Sequence, residues 1–167
     1  MVAGMDTSDE TILVLGLGNI LLTDEAAGVR VADYLADHPA AQALGLRTLD
    51  GGTMGMSLLV EMEDADALVV VDAAYLDQPP GSIKMFQGAE MDHFLRHRGR
   101  NPHDIGLDDL MDGLRLREAV PERRALIGIQ PKSLQVGEFL NPEIAAAIPK
   151  AGQMILDLVA GWKAAKP

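Results

Sequence analysis

The 167-residue chain, 48% hydrophobic and without cysteine, suits one domain and excludes disulfides, thiolate metal sites and cysteine nucleophiles. Its 25 acidic against 14 basic side chains leave a net charge of −11, which argues against nucleic-acid binding. Apolar runs such as Ala67–Val71 fall far short of the ~20 residues of a membrane span, so no membrane insertion is expected.

The opening residues MVAGMDTSDE contain neither a basic nor an apolar leader region, and the cytoplasm is the expected compartment. Residues 1–10 are expected to be a flexible segment, 11–163 a single domain and 164–167 a tail. Thr11–Leu15 is a short apolar run closed by Gly16 and Gly18, and reads as a buried strand. Asp24 to Asp37 follows as a helix, with Ala27, Val31, Tyr34 and Leu35 at helical spacing and acids in its first turn. Leu46–Leu49 reads as a second strand ending at Asp50, and Met54–Met62 as a helix whose Met54, Met56 and Met62 are expected to be core filler. Leu68–Val71 is apolar throughout, as a central strand should be, and ends at Asp72.

The turn Gln78-Pro79-Pro80-Gly81 leads into a strand over Ser82–Phe86. Glu90–Arg96 and Leu107–Leu116 are expected to be helices around an irregular segment, Gly99–Gly106. Ala125–Ile129 is a fifth strand and Pro142 to Trp162 a long helix. Such alternation predicts an α/β three-layer sandwich, with helices on both faces of a largely parallel (mixed) five-stranded sheet.

The charge is uneven. Residues 1–83 hold only Arg30 and Arg47 as cations against 14 acids, whereas 12 of the 14 cations lie in residues 84–167. The arginines from Arg96 to Arg100 read either as a solvated loop or as a docking patch for an acidic partner.

In open α/β sheets ligands gather at the carboxyl ends of the strands. Glu25, Asp50 and Asp72 fall at three such ends. Each alone could simply terminate a strand or cap a helix. Three on one edge would repel each other unless a cation or an imidazolium joined them. His103, in Asn101-Pro102-His103-Asp104, lies in the irregular segment and is the candidate imidazole. His38 precedes Pro39 at a helix end, while His93 and His97 are an i,i+4 pair with no adjoining acid motif.

Two carboxylates and an imidazole suit a divalent transition ion with open positions, not a closed structural zinc site. The chain has no HExxH and no GxSxG. Gly16-Leu17-Gly18-Asn19-Ile20-Leu21 offers the first two glycines of a dinucleotide fingerprint but has leucine at the third. The acids Asp24 and Glu25 would also repel a pyrophosphate, so no nucleotide cofactor is expected. A nucleotide-binding oxidoreductase and a non-catalytic metal-binding module or chaperone are the competing readings.

With these residues in view, the chain resembles the nickel–iron hydrogenase maturation endopeptidases over about residues 11 to 160. The resemblance rests on Gly16–Asn19 with Asp24–Val29, Leu49–Thr53, Val71–Ala73, Pro102–Leu107 and Ile127–Pro131. It implies a single α/β domain with a twisted sheet between helices. It also implies removal of a C-terminal extension from a nickel-loaded hydrogenase large-subunit precursor, in a family grouped with the aspartic-type endopeptidases. The family's metal-contacting residues map onto Glu25, Asp72 and His103, and Asp50 maps to a further position important for cleavage. Nickel is expected to come with the substrate. A residue often glycine in the family is Ala26 here, and a monomer is expected.

Overall fold

The computed structural model describes residues 10–52, 54–98 and 106–165; Thr53 and the candidate ligand His103 lie outside the described residues. Its strands are β1 (Ile12–Leu17), β2 (Leu46–Gly52), β3 (Ala67–Ala73), β4 (Ile83–Gln87) and β5 (Arg123–Ile129). They form one sheet in the order β2-β1-β3-β5-β4, parallel except for β4, which pairs antiparallel with β5 at the edge. The helices are α1 (Ala27–Ala36), α2 (Pro39–Ala43), α3 (Leu58–Glu63), α4 (Ala89–His97), α5 (Leu107–Leu116) and α6 (Pro142–Ala164). The expected α/β architecture is the one observed.

Strand periodicity decides which helix packs where. Ile12 and Val14 of β1, Val69 and Val71 of β3, and Ile127 and Ile129 of β5 point to the face covered by α1, α2 and α6. Leu13, Leu15, Leu68, Val70 and Leu126 point to the opposite face, against α3, α4 and α5. Helix α6 is long and apolar enough to match a membrane span in composition. Its Ile144, Ile148, Ile155 and Val159 are instead buried against the sheet, as in the core helix of an α/β domain.

Three expectations need correction. The helix expected from Asp24 begins as a 3-10 turn over Thr23–Ala26, with α1 starting only at Ala27. The Asp24 carboxylate does not cap its own helix, because it is spent on a distant loop. Strand β3 runs on through Asp72, which pairs with Gly128, so this acid belongs to the sheet itself. Met62 is buried core, but Met54 and Met56 are exposed, since the turn over Gly55–Ser57 carries them outside the sandwich.

Two glycines let the layers approach backbone to backbone. A Cβ on Gly28 would lie 2.2 Å from the Val71 carbonyl oxygen, and one on Gly16 would lie 2.4 Å from the Gly28 oxygen. The first turns of α1 therefore sit directly on β1 and β3. Since Glu25 is three residues before Gly28, and Asp72 follows Val71, this contact fixes how near the two acids come.

Asp24 ties the β1–α1 loop to the segment between β5 and α6. Fully buried, it accepts hydrogen bonds on Oδ2 from the backbone N–H groups of Lys132 and Ser133 (both 2.9 Å) and from Asn141 Nδ2 (2.8 Å). Its Oδ1 accepts from the Asn141 backbone N–H at 2.8 Å. Burial raises the carboxyl pKa, but the donors at Asn141, Ser133 and Lys132 together bring it below the ordinary value. Asp24→Asn would turn an acceptor into a donor facing donors, and should lower stability at pH 7 by about 2–4 kcal/mol in denaturant unfolding. A group with a depressed folded pKa stabilises above its unfolded value and loses that contribution as pH falls through the folded one. The gap between wild type and Asp24→Asn should therefore close below about pH 3.8; a gap still unchanged at pH 2 would show that the carboxylate is not its source.

Candidate active site

The carboxyl edge of the parallel strands is shaped by tight turns. Gly18 has φ 128°, and a Cβ there would fall 1.8 Å from the Glu25 carbonyl oxygen. Asn19 Oδ1 accepts from the Leu21 N–H at 2.9 Å, and the Glu25 N–H donates to the Leu22 oxygen at 3.0 Å. The Gly-Asn turn thus folds the loop back so that half-buried Glu25 stands over the end of β1. A 3-10 turn bearing two acids occupies the place where the dinucleotide reading needs a helix N-terminus.

Asp50 reaches the same edge through an irregularity in β2. Gly16 pairs with Asp50 and Leu17 with Gly52, so Gly51 is the extra residue of a bulge. A Cβ on Gly51 would lie 2.8 Å from Leu15 Cδ1, so the bulge packs closely on the leucine side chains of β1. Asp50 is exposed. Gly16 also pairs with Val71 on the other side, so Asp50 and Asp72 sit within a residue of the same height. Their backbones flank β1 two strand spacings apart, Asp50 in register with the face covered by α1 and Asp72 with the face covered by α4 and α5.

Asp72 is half-buried at the end of β3, with Arg98 Nη1 at 3.8 Å from its Oδ2. Burial pushes its carboxyl up to about 6; the Arg98 guanidinium opposes the rise, the Glu25 carboxylate adds to it, and the Ala73 N–H opposes it. The chain thus brings Glu25 and Asp72 close enough to feel each other's charge. Arg98, part of the run that reads from the sequence as either a solvated loop or a docking patch, faces inward onto Asp72.

The remaining histidines have other duties. His38 Nδ1 accepts from the Ala40 N–H at 3.1 Å and caps α2. The exposed His93 and His97 rings stand 4.1 Å apart on α4, with His97 Nδ1 2.8 Å from the His93 oxygen. Among the described residues no group of three or more histidine, aspartate or glutamate side chains is arranged to hold a metal ion. An open cleft of about 470 Å³ lined by Gln87, Arg123, Arg124 and Trp162 lies at the amino end of β5, away from the acids.

Two positioning residues were not singled out from the sequence. Asn141 supplies both its backbone and side-chain donors to Asp24. Gln130, buried at the end of β5, accepts from the Leu76 N–H at 2.6 Å and so fixes the segment leaving β3. The Ile127–Pro131 run contains Gln130, and an amide directly after an apolar strand was the available signal.

The raised Asp72 value has a measurable consequence in the metal-free protein. Between about pH 4 and 6 the folded chain keeps a proton that the unfolded chain has released, so stability falls as pH rises through that window. The effect is at most about 3 kcal/mol, and less where solvent screens the partly exposed carboxylate. As pH rises across that range, wild type should lose stability relative to Asp72→Asn in denaturant unfolding. Equal slopes would assign the effect to another group.

Residues 29–158 match the family model described as hydrogenase maturation protease, a span containing Asp50, Asp72 and His103 but not Glu25. The chain is 37% identical over 146 residues to the hydrogenase 2 maturation protease of Escherichia coli strain K12, covering 87% of this chain and 88% of that one. It is 36% identical over 154 residues to the hydrogenase expression/formation protein HupD of Thiocapsa roseopersicina, covering 92% and 69%. Among solved structures it superposes on the hydrogenase maturating endopeptidase HybD of E. coli with a TM-score of 0.77 and 35% identity, covering 90% and 93%. The maturation protease HybD of Thermococcus kodakarensis gives 0.71 and 28%, covering 89% and 99%. The chain belongs to the hydrogenase maturation protease family.

Proposed function

We propose that this chain is the endopeptidase that removes the C-terminal extension of a nickel–iron hydrogenase large-subunit precursor after nickel insertion. Glu25, Asp72 and His103 engage the nickel carried by the precursor, and Asp50 takes part in cleavage. The enzyme acts in the cytoplasm as a monomer, as an aspartic-type endopeptidase without a nucleotide cofactor. The observation that carries the reading is the pairing of Glu25 with Asp72, whose carboxyl is pushed up to about 6 by burial against the opposing pull of Arg98. Such a pair gains from an incoming divalent cation, which relieves both the repulsion and the desolvation.

Oxygen and imidazole donors suit nickel, and an incomplete ligand set suits a metal whose other ligands belong to the substrate. Hydrolysis adds a water oxygen to the scissile carbonyl carbon and breaks the C–N bond. The leaving nitrogen must gain a proton. With Glu25 and Asp72 committed to the metal, Asp50 is the carboxylate left to take the proton from the attacking water and return it to that nitrogen.

Incubation with nickel-loaded and nickel-free precursor, read by intact-protein mass, tests the reading. Wild type should release a short C-terminal peptide from the loaded precursor only. Glu25→Ala and His103→Ala should each lower that processing at least 100-fold while circular dichroism stays unchanged. Asp50→Asn should lower kcat and leave precursor affinity near wild type. Wild-type rates in both Glu25→Ala and His103→Ala would overturn the metal-recognition reading. Binding of a verified nickel-loaded precursor with no cleavage would favour a metal-binding module.

A further inference from the structure

We infer that an apolar rim around the acidic edge is the docking surface for the precursor, engaging an apolar surface of that partner next to its cationic metal. The inference rests on the proposed function for the partner's identity. The rim is built from Leu21 (56% exposed) with Ile20, Met54 (53%) with Met56, and Val136 (87%) with Phe139 (83%). Scattered exposed hydrophobes need no explanation, but six on the loops of the one edge that bears the acids do.

Backbone hydrogen bonds gather the segments that carry these side chains at one edge. The Gly137 N–H donates to the Leu21 oxygen at 2.9 Å and the Thr23 N–H to the Gly137 oxygen at 3.0 Å, which seats Val136 beside Leu21. The Gly18 N–H donates to the Gly52 oxygen at 3.4 Å, and the Met54 N–H to the Gly51 oxygen at 2.9 Å, which brings the methionine turn alongside the Gly-Asn turn. All three segments leave the carboxyl ends of parallel strands, the edge that bears Glu25, Asp50 and Asp72. Methionine on such a surface adapts to an irregular partner.

Charge selects the occupant. A second copy related by a two-fold axis would bring Glu25, Asp50 and Asp72 toward their own images, and like charges at an interface are repulsive. On the other side of the acids, Arg98 is turned onto Asp72, and Lys132 is paired with Glu143 at 2.9 Å. The rim therefore fits a partner that offers apolar area around a positive centre, which describes a metal-bearing precursor.

The test measures precursor affinity by biolayer interferometry, separately from cleavage. The rim variants are Leu21→Ser and the double change Val136→Ser with Phe139→Ser; the control is Leu116→Ser, 89% exposed at the end of α5 on the opposite edge. Each rim variant should raise Kd and KM for nickel-loaded precursor at least tenfold and leave kcat within twofold. The control should match wild type, and all should keep the wild-type circular dichroism. Unchanged Kd in the rim variants, or an equal loss in Leu116→Ser, would overturn the inference. So would micromolar wild-type dimers that the rim changes dissolve. Binding that depends on the rim, without cleavage, would uphold the surface while refuting the protease reading.

Discussion

One buried carboxylate holds the working edge together. Asp24 is fully enclosed and charged only because donors from Lys132, Ser133 and Asn141 meet both of its oxygens. A lone buried carboxylate would be strongly unfavourable, so the loop after β5 and the loop after β1 can be arranged only with respect to each other. Glu25 is the next residue in the chain. Its position over the sheet follows from that of Asp24, so that of two adjacent acids one is a buried anchor and the other stands half-buried at the edge.

The balance at Asp72 is of a different kind. Its neighbours pull in opposite directions, Arg98 toward ionisation and Glu25 away from it, while burial favours the neutral acid. A site whose charge is only partly neutralised responds to a cation brought from outside. The same arrangement on a fully compensated carboxylate, such as Asp24 or the Arg124-paired Asp92, would have nothing to gain.

The fold was legible because strand and helix periodicities differ and few segments are ambiguous. The run Leu68–Val71 could hardly be anything but a central strand, and Leu107–Leu116 has the boundaries its pattern predicts. The location of Glu25, Asp50 and Asp72 at one edge was also readable, since strand ends in a parallel sheet share an edge. What could not be read were contacts between residues distant in sequence. Nothing local says that Asp24 reaches Asn141, that Arg98 turns toward Asp72, or that Met54 and Met56 face outward. Those outcomes depend on loop paths, which hydrophobic periodicity does not encode.

The antiparallel edge strand β4 governs how the edge is supplied. It starts where β5 ends, with Ile83 opposite Ile129, and finishes opposite Ala125 near the start of β5. The chain is therefore delivered to the wrong end of the sheet, and α4 must carry it back. At 1.5 Å per residue its nine residues span about 13 Å, close to the length of the strand it retraces. Helix α4 thus works as a ruler, set so that Arg98, the residue just past its end, arrives beside Asp72. One inserted turn would overshoot by about 5.4 Å. The length of this helix is therefore under a constraint unrelated to its own packing, and variation among related chains should collect in its solvent-facing residues before it touches its turn count.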